Sequence, residues 1–167
     1  MANGIEFSPN QKTLYLTDSG AAGLLNPINQ TLGNRVAVYN NTGHRTVYAF
    51  DVVDEVYLTN QRPIYQVQSL AADGMKVAKN GYIVATSGYA VDVFERYGTV
   101  IMRVATNFTV TNMAFAGSDY KQLWLTGVGG IARVTMNWKG QYGVHGGFHH
   151  RCDSVCMDYV LVAPGTH

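Results

Sequence analysis

One seven-residue pattern occurs three times in this chain, and a short apolar run follows each copy. The first copy is Asn3-Gly4-Ile5-Glu6-Phe7-Ser8-Pro9, with Thr13-Leu14-Tyr15-Leu16-Thr17 behind it. The second is Asp73-Gly74-Met75-Lys76-Val77-Ala78-Lys79, followed by Tyr82-Ile83-Val84-Ala85-Thr86. The third is Thr111-Asn112-Met113-Ala114-Phe115-Ala116-Gly117, followed by Gln122-Leu123-Trp124-Leu125-Thr126. A two-strand unit repeated in this way points to stacked or radial β architecture. Two copies open on an oxygen-bearing side chain and a glycine, Asn3-Gly4 and Asp73-Gly74; the third opens on Thr111. Strand mouths of this kind, converging on an axis, offer oxygen donors to a hard divalent cation.

The remaining strands fall between the copies. Arg45–Asp51 alternates apolar and polar side chains in part, and Pro63–Gln68 does so cleanly, as half-buried strands do. Ala90–Glu95 alternates too, then turns at Arg96-Tyr97-Gly98 into Thr99–Val104, at hairpin distance. No segment has helical periodicity with caps at both ends. Grouping gives blades. Residues 3–68 form a four-stranded blade swollen by a Gly-, Asn- and Pro-rich loop at 20–43, and residues 73–104 form a compact second one. Residues 111–136 supply three strands of a third, ending with Gly130–Met136. The step from Gly74 to Asn112 falls just short of the ~40–45 residues of a typical propeller repeat. The expected fold is all-β: about three antiparallel four-stranded blades of a propeller. Propellers usually close with about four to eight blades. Three leave exposed flanks and unpaired edges, so self-association through blade edges is expected. From Gln141 to His167 the character changes. This tail is read as divergent and outside the propeller, with Tyr159–Val162 as its one strand-like run.

Composition removes several function classes. The 167 residues suffice for one cored domain, and 47% are hydrophobic. Charged residues are 14% and the net charge is +1, with Lys and Arg scattered, which argues against nucleic acid as a partner. No run approaches the ~20 apolar residues of a membrane span, so no membrane partner is expected. The N-terminus lacks the basic and apolar segments of a signal peptide. Asn29, Asn40 and Asn107 lie in Asn-x-Ser/Thr sequons, which mark surface positions only in a secreted protein. Cys152 and Cys156 are too few to define a disulfide framework.

The repeats resemble the gluconolactonase, senescence-marker-protein and regucalcin family of six-bladed propellers, most closely its fungal lactonohydrolase-like branch. Members carry an Asn-Gly motif before a Phe-Ser-Pro stretch and Lys-Thr-Leu-Tyr; here Asn3-Gly4-Ile5-Glu6-Phe7-Ser8-Pro9 precedes Lys12-Thr13-Leu14-Tyr15. They carry Asp-Gly-Met ahead of a Gly turn; here Asp73-Gly74-Met75 precedes Asn80-Gly81. They carry a Thr-Asn-hydrophobic-Ala-Phe-Gly-Gly run near the C-terminus, here Thr111-Asn112-Met113-Ala114-Phe115-Ala116-Gly117. The resemblance covers residues 2–140 and implies that 1–140 is the C-terminal half of such a propeller, with 141–167 a tail without family counterpart. The chain then reads as truncated.

The resemblance implies one divalent cation at the axial mouth, held by an Asn, an Asp and a Glu of the first blade. Asn3 and Asp73 match the first two; the Glu has no counterpart here. Oxygen donors suit Ca²⁺, with Zn²⁺ and Mn²⁺ as alternatives. The cation would polarise a lactone carbonyl, and Asp73 would be the catalytic base for water. The implied activity is lactone (ester) hydrolysis on a sugar or related lactone, weak or absent in this chain alone. The alternative is a non-catalytic partial propeller, a binding module or a fragment without function. Asp18 and Asn112 read as turn and backbone-pairing residues, and Trp124 and Trp138 as packing. The tail residues His145, His149, His150, Cys152 and Cys156 have no standard zinc spacing.

Overall fold

The computed structural model describes residues 1–25, 36–141 and 156–158. Three four-stranded antiparallel sheets lie side by side as blades. The first runs from β1 (Ala2–Phe7) through β2 (Thr13–Asp18) to β5 (Thr46–Val53) and β6 (Tyr57–Gln66). Between β2 and β5 a separate hairpin, β3 (Ala22–Leu25) paired with β4 (Val36–Tyr39), rises from the loop expected at 20–43. The second blade is β7 (Met75–Val77), β8 (Ile83–Thr86), β9 (Ala90–Phe94) and β10 (Val100–Ala105), in that spatial order. The third is β11 (Thr109–Ala116), β12 (Gln122–Val128), β13 (Gly130–Thr135) and β14 (Cys156–Asp158).

In blades two and three the chain moves from the inner strand to the outer strand, and each outer strand leads to the inner strand of the next blade. The threefold pattern therefore marks β1, β7 and β11, the three inner strands, and they lie next to one another. Three residues near the end of the tail are described. Cys156–Asp158 pairs with β13 at Arg133↔Asp158 and Thr135↔Cys156, completing the third blade. Tyr159–Val162 and the tail histidines lie outside the described residues.

Two apolar layers hold the blades together. Between the first and second lie Tyr15, Val47, Val67, Met75, Ile83 and Phe94. Between the second and third lie Val84, Val93, Val104, Met113, Leu123 and Leu125. The middle blade is thus covered on both faces. That is why Ile83-Val84-Ala85-Thr86 and Ala90–Phe94 are buried at every position rather than at alternate ones. Each fully buried Val, Leu, Ile or Phe contributes ~1.5–3 kcal/mol relative to exposure.

Candidate functional site

The inner strands begin at one end of the molecule, and there the blades touch through backbone. A Cβ on Gly4 would stand 2.7 Å from the Asp73 carbonyl oxygen, and one on Gly74 would stand 2.7 Å from that of Thr111. Only glycine permits this approach. The Gly74 N–H donates to the Thr111 carbonyl at 2.9 Å, which ties the second blade to the third. The Asn-Gly and Asp-Gly dipeptides expected at the mouth therefore meet there, next to Thr111.

Beneath the mouth lies a layer of buried hydroxyls. Thr17 Oγ1 donates to the Asp73 carbonyl at 2.7 Å and accepts the Gly4 N–H at 2.6 Å. Thr86 Oγ1 accepts the Asp73 N–H at 2.8 Å. Ser19 Oγ donates to the Ala72 carbonyl at 2.7 Å and accepts from Asn3 Nδ2 at 3.1 Å. Asp73 is thus clamped at its N–H by its own blade and at its carbonyl by the neighbouring blade. Such a clamp removes backbone freedom before any ligand arrives.

The Asp73 side chain is half-buried, and burial pushes its carboxyl above the usual aspartate range. A hydrogen bond from the Asn3 side chain pulls the other way. The two residues read as a pair from the sequence are therefore in contact. Asn3 itself is exposed. Its amide nitrogen serves Ser19 and Asp73, which leaves its oxygen as the donor it offers. Asp18 behaves as a turn residue: its Oδ1 accepts the Gly20 N–H at 2.9 Å and pairs with the N-terminal ammonium. Asn112 Oδ1 accepts the Met113 N–H at 2.8 Å. Trp138 packs edge-on against Tyr82 and Phe115. Trp124 lies under the Arg133 guanidinium, 5.8 Å from ring centroid to Cζ.

Thr17, Ser19 and Thr86 were not singled out from the sequence, although a signal was present. The run after each pattern ends in threonine: Thr17, Thr86 and Thr126. In the third blade Thr126 Oγ1 reaches the Asn112 carbonyl at 3.4 Å. A threonine at this repeat position closes the inner strand's mouth onto the second strand.

In donor type, the site fits a hard cation: one carboxylate and one amide oxygen. In number it falls short, because no group of three or more His, Cys, Asp or Glu side chains suited to a metal occurs among the described residues.

The family model of the SMP-30/Gluconolactonase/LRE-like region matches residues 20–129. Lactonohydrolase oryH of Aspergillus oryzae is 44% identical over 140 residues, which cover 83% of this chain and 30% of that protein. Lactonohydrolase oryL of the same organism is 42% identical over 141 residues, covering 84% of this chain and 32% of that protein. The chain thus spans about a third of the length of these relatives. Among solved structures, a gluconolactonase of Xanthomonas campestris superposes with a TM-score of 0.56 at 27% identity, over 75% of this chain and 34% of that one. A calcium-binding regucalcin of Agrobacterium tumefaciens shares the fold, with a TM-score of 0.55 at 19% identity over 75% of this chain and 37% of that one.

Proposed function

The chain belongs to the SMP-30/gluconolactonase/LRE-like family, and on that premise we propose that Asn3 and Asp73 are part of a cation-assisted centre for hydrolysing a sugar lactone or related lactone. The observation that carries this reading is the Asp73 carboxyl: half-buried at the blade mouth, fixed at its backbone on both sides, and raised in pKa by burial. A base is most effective when its pKa lies near the working pH, and without a cation burial moves Asp73 in that direction.

The chemistry is an ester cleavage. Asp73 accepts a proton from water as the water oxygen bonds to the lactone carbonyl carbon. The ring C–O bond then breaks, and its oxygen takes up a proton to become the hydroxyl of the product hydroxy acid. Asn3 orients the Asp73 carboxylate through its amide. A divalent cation, Ca²⁺ foremost, would be held by the Asp73 carboxylate and the Asn3 amide oxygen and would polarise the carbonyl.

A second reading is a partial propeller that binds without turnover, and the two-donor ligand set favours it for this chain in isolation. Small displacements of reacting groups can cost about 100-fold in rate. Asn3 is exposed on β1, whose outward face no other blade covers among the described residues. Hydrolysis of gluconolactone and of aromatic lactones by the purified chain, with Ca²⁺, Mn²⁺ or Zn²⁺ added, tests the proposal. The expected result is slow, cation-dependent turnover that disappears in Asp73→Ala. Turnover that is unchanged in Asp73→Ala would remove Asp73 from the chemistry. A complete absence of turnover would favour the binding reading.

A further inference from the structure

β1 and β7 run side by side away from the Asn3 and Asp73 mouth and finish at the opposite end, roughly 16 Å away at the rise of a β-strand. There the turn after β1, the turn after β7 and the β9–β10 turn border a cavity of about 540 Å³. A second hollow of about 380 Å³ shares Thr13, Tyr15, Arg96 and Tyr97 with it. The larger volume is in the range of small-molecule sites. Nothing in the lactone chemistry above uses this end of the molecule.

Its polar lining combines two cations, two amides and several hydroxyls with one carboxylate. Tyr15 is 4% exposed over the whole residue, and its hydroxyl, which makes no hydrogen bond to the described residues, is open to the cavity. Burial raises the Tyr15 pKa, while the charges of Arg62 and Arg96 pull it down, which puts both guanidiniums in electrostatic reach of the phenol. Arg62 is already paired with Asp51 at 2.8 Å. Arg96 is not paired with any acid among the described residues; its guanidinium lies 4.5 Å over the Tyr97 ring, which presents it at the cavity. Lys79 likewise has no acidic partner among the described residues. The amides add to this. Asn10 Oδ1 accepts from Ser8 Oγ at 2.8 Å and from the Lys12 N–H at 3.1 Å. Asn80 Oδ1 accepts the Tyr82 N–H at 3.2 Å. With both oxygens engaged, each amide is left with its NH₂ group to offer. Glu95 is the one acid in the lining, and like Arg96, Lys79, Asn10 and Asn80 it is exposed.

A cavity bordered by one hydroxyl without a partner among the described residues, two cations without an acidic partner there and two free NH₂ groups lacks one thing, an acceptor with negative charge. We propose that this cavity binds a small organic oxyanion, a carboxylate or a phosphate monoester, with its charge facing Arg96 and Lys79 and an oxygen on the Tyr15 hydroxyl. Asn10 and Asn80 donate to further oxygens of the same molecule. The site is independent of the Asn3 and Asp73 centre.

NMR titration of the isotope-labelled chain tests this, using the amides of Gly81, Arg96 and Gly98 as reporters. The probes are gluconate, glucose 6-phosphate and, as a neutral control, glucose. One or both anions should shift these signals in saturable fashion, and glucose should not. Gluconate alone would assign a carboxylate site, and glucose 6-phosphate alone a phosphate site. Arg96→Gln, at an exposed position that should leave folding intact, should weaken binding about tenfold or more, the loss expected of one charge-assisted hydrogen bond. Tyr15→Phe, which keeps the ring packing, should weaken it several-fold. Asp73→Asn should leave it unchanged. The proposal fails if neither anion shifts the reporters at millimolar concentration. It also fails if glucose binds as well as the anions, if Arg96→Gln binds as tightly as wild type, or if Asp73→Asn abolishes the shifts.

Discussion

At the scale of single residues, Asp73 couples the site to stability. Its carboxyl titrates above the ordinary aspartate value because burial disfavours the charge, with the Asn3 hydrogen bond opposing. Between the unfolded and folded pKa values the folded chain holds a proton that the unfolded chain has lost. Stability is therefore highest below that window, falls as pH rises through it, and levels off above it. Asp73→Asn cannot ionise and should not show this fall. The two proteins should have similar urea midpoints near the bottom of the window, and the variant should be the more stable above it. Ca²⁺ should narrow the gap at neutral pH, because a ligand stabilises only the form that binds it. A wild type that gains on the variant as pH rises without metal would contradict the direction assigned to Asp73. The pair Asn3 and Asp73 was legible in the sequence because both precede a glycine in a repeated pattern. The hydroxyl clamp was not read, because a threonine ending a strand looks like ordinary β propensity until its partner is seen to be the backbone of another blade.

At the scale of elements, most strands were legible from alternation, and the misses have physical causes. β6 begins at Tyr57, well before the clean alternation at Pro63. Register irregularities between Val47 and Tyr48 and between Ala49 and Asp51 scramble the in-and-out order. The turn that starts it, Asp54-Glu55, puts both residues at positive φ, 52° and 59°. The Val56 N–H closes this turn onto the Val53 carbonyl at 3.2 Å, and a three-residue connection links Val53 to its partner Tyr57 without the Asn-Gly signature that usually announces a hairpin. The β3–β4 hairpin hid in a segment rich in turn formers, and Cys156–Asp158 is too short to show a period. The interface of the first two blades also holds a charge that patterning alone would not place. Asp92 is 1% exposed and accepts Tyr65 Oη at 2.9 Å from the first blade and Arg103 Nη1 at 2.9 Å from β10. Tyr65 in turn stacks on Phe94 with ring centroids 4.2 Å apart. Removing one partner of a buried pair leaves an uncompensated charge. Arg103→Met should cost about 3 kcal/mol, the lower end of the range for such pairs, since Arg103 is partly in solvent. Denaturant unfolding measures it, and a loss below about 1 kcal/mol would put the pair among surface ion pairs.

At the scale of the whole molecule, among the described residues the middle blade is covered on both faces and the first blade on one. Its outward face is apolar in two cross-strand rows. Ile5 pairs with Leu16 and Leu16 with Tyr48; Phe7 pairs with Leu14 and Leu14 with Phe50. Ile5 is 57% exposed and Phe7 36%. Leu14 in these rows is buried and Leu16, Tyr48 and Phe50 are half-buried, so Ile5 and Phe7 are the exposed apolar side chains of this face, and exposed apolar surface marks an interaction face. The sequence suggested association through blade edges, yet the outer edges are poorly suited to it. β6 carries Pro63, which has no N–H to donate, and two register irregularities. β10 carries another irregularity between Val100 and Met102. Bulges and proline are the devices that keep sheet edges from pairing. A flat apolar face has no such protection and gains ~25 cal/mol for every Å² of apolar surface removed from water. We therefore expect the chain to self-associate face to face. Sedimentation velocity across a concentration series should show a mass that rises with concentration. A double variant, Ile5→Lys with Phe7→Glu, should remain a monomer while retaining its β-sheet circular dichroism, because both side chains already point to solvent. A wild type that stays monomeric throughout the series, or a variant that associates equally well, would show that this face stays in water.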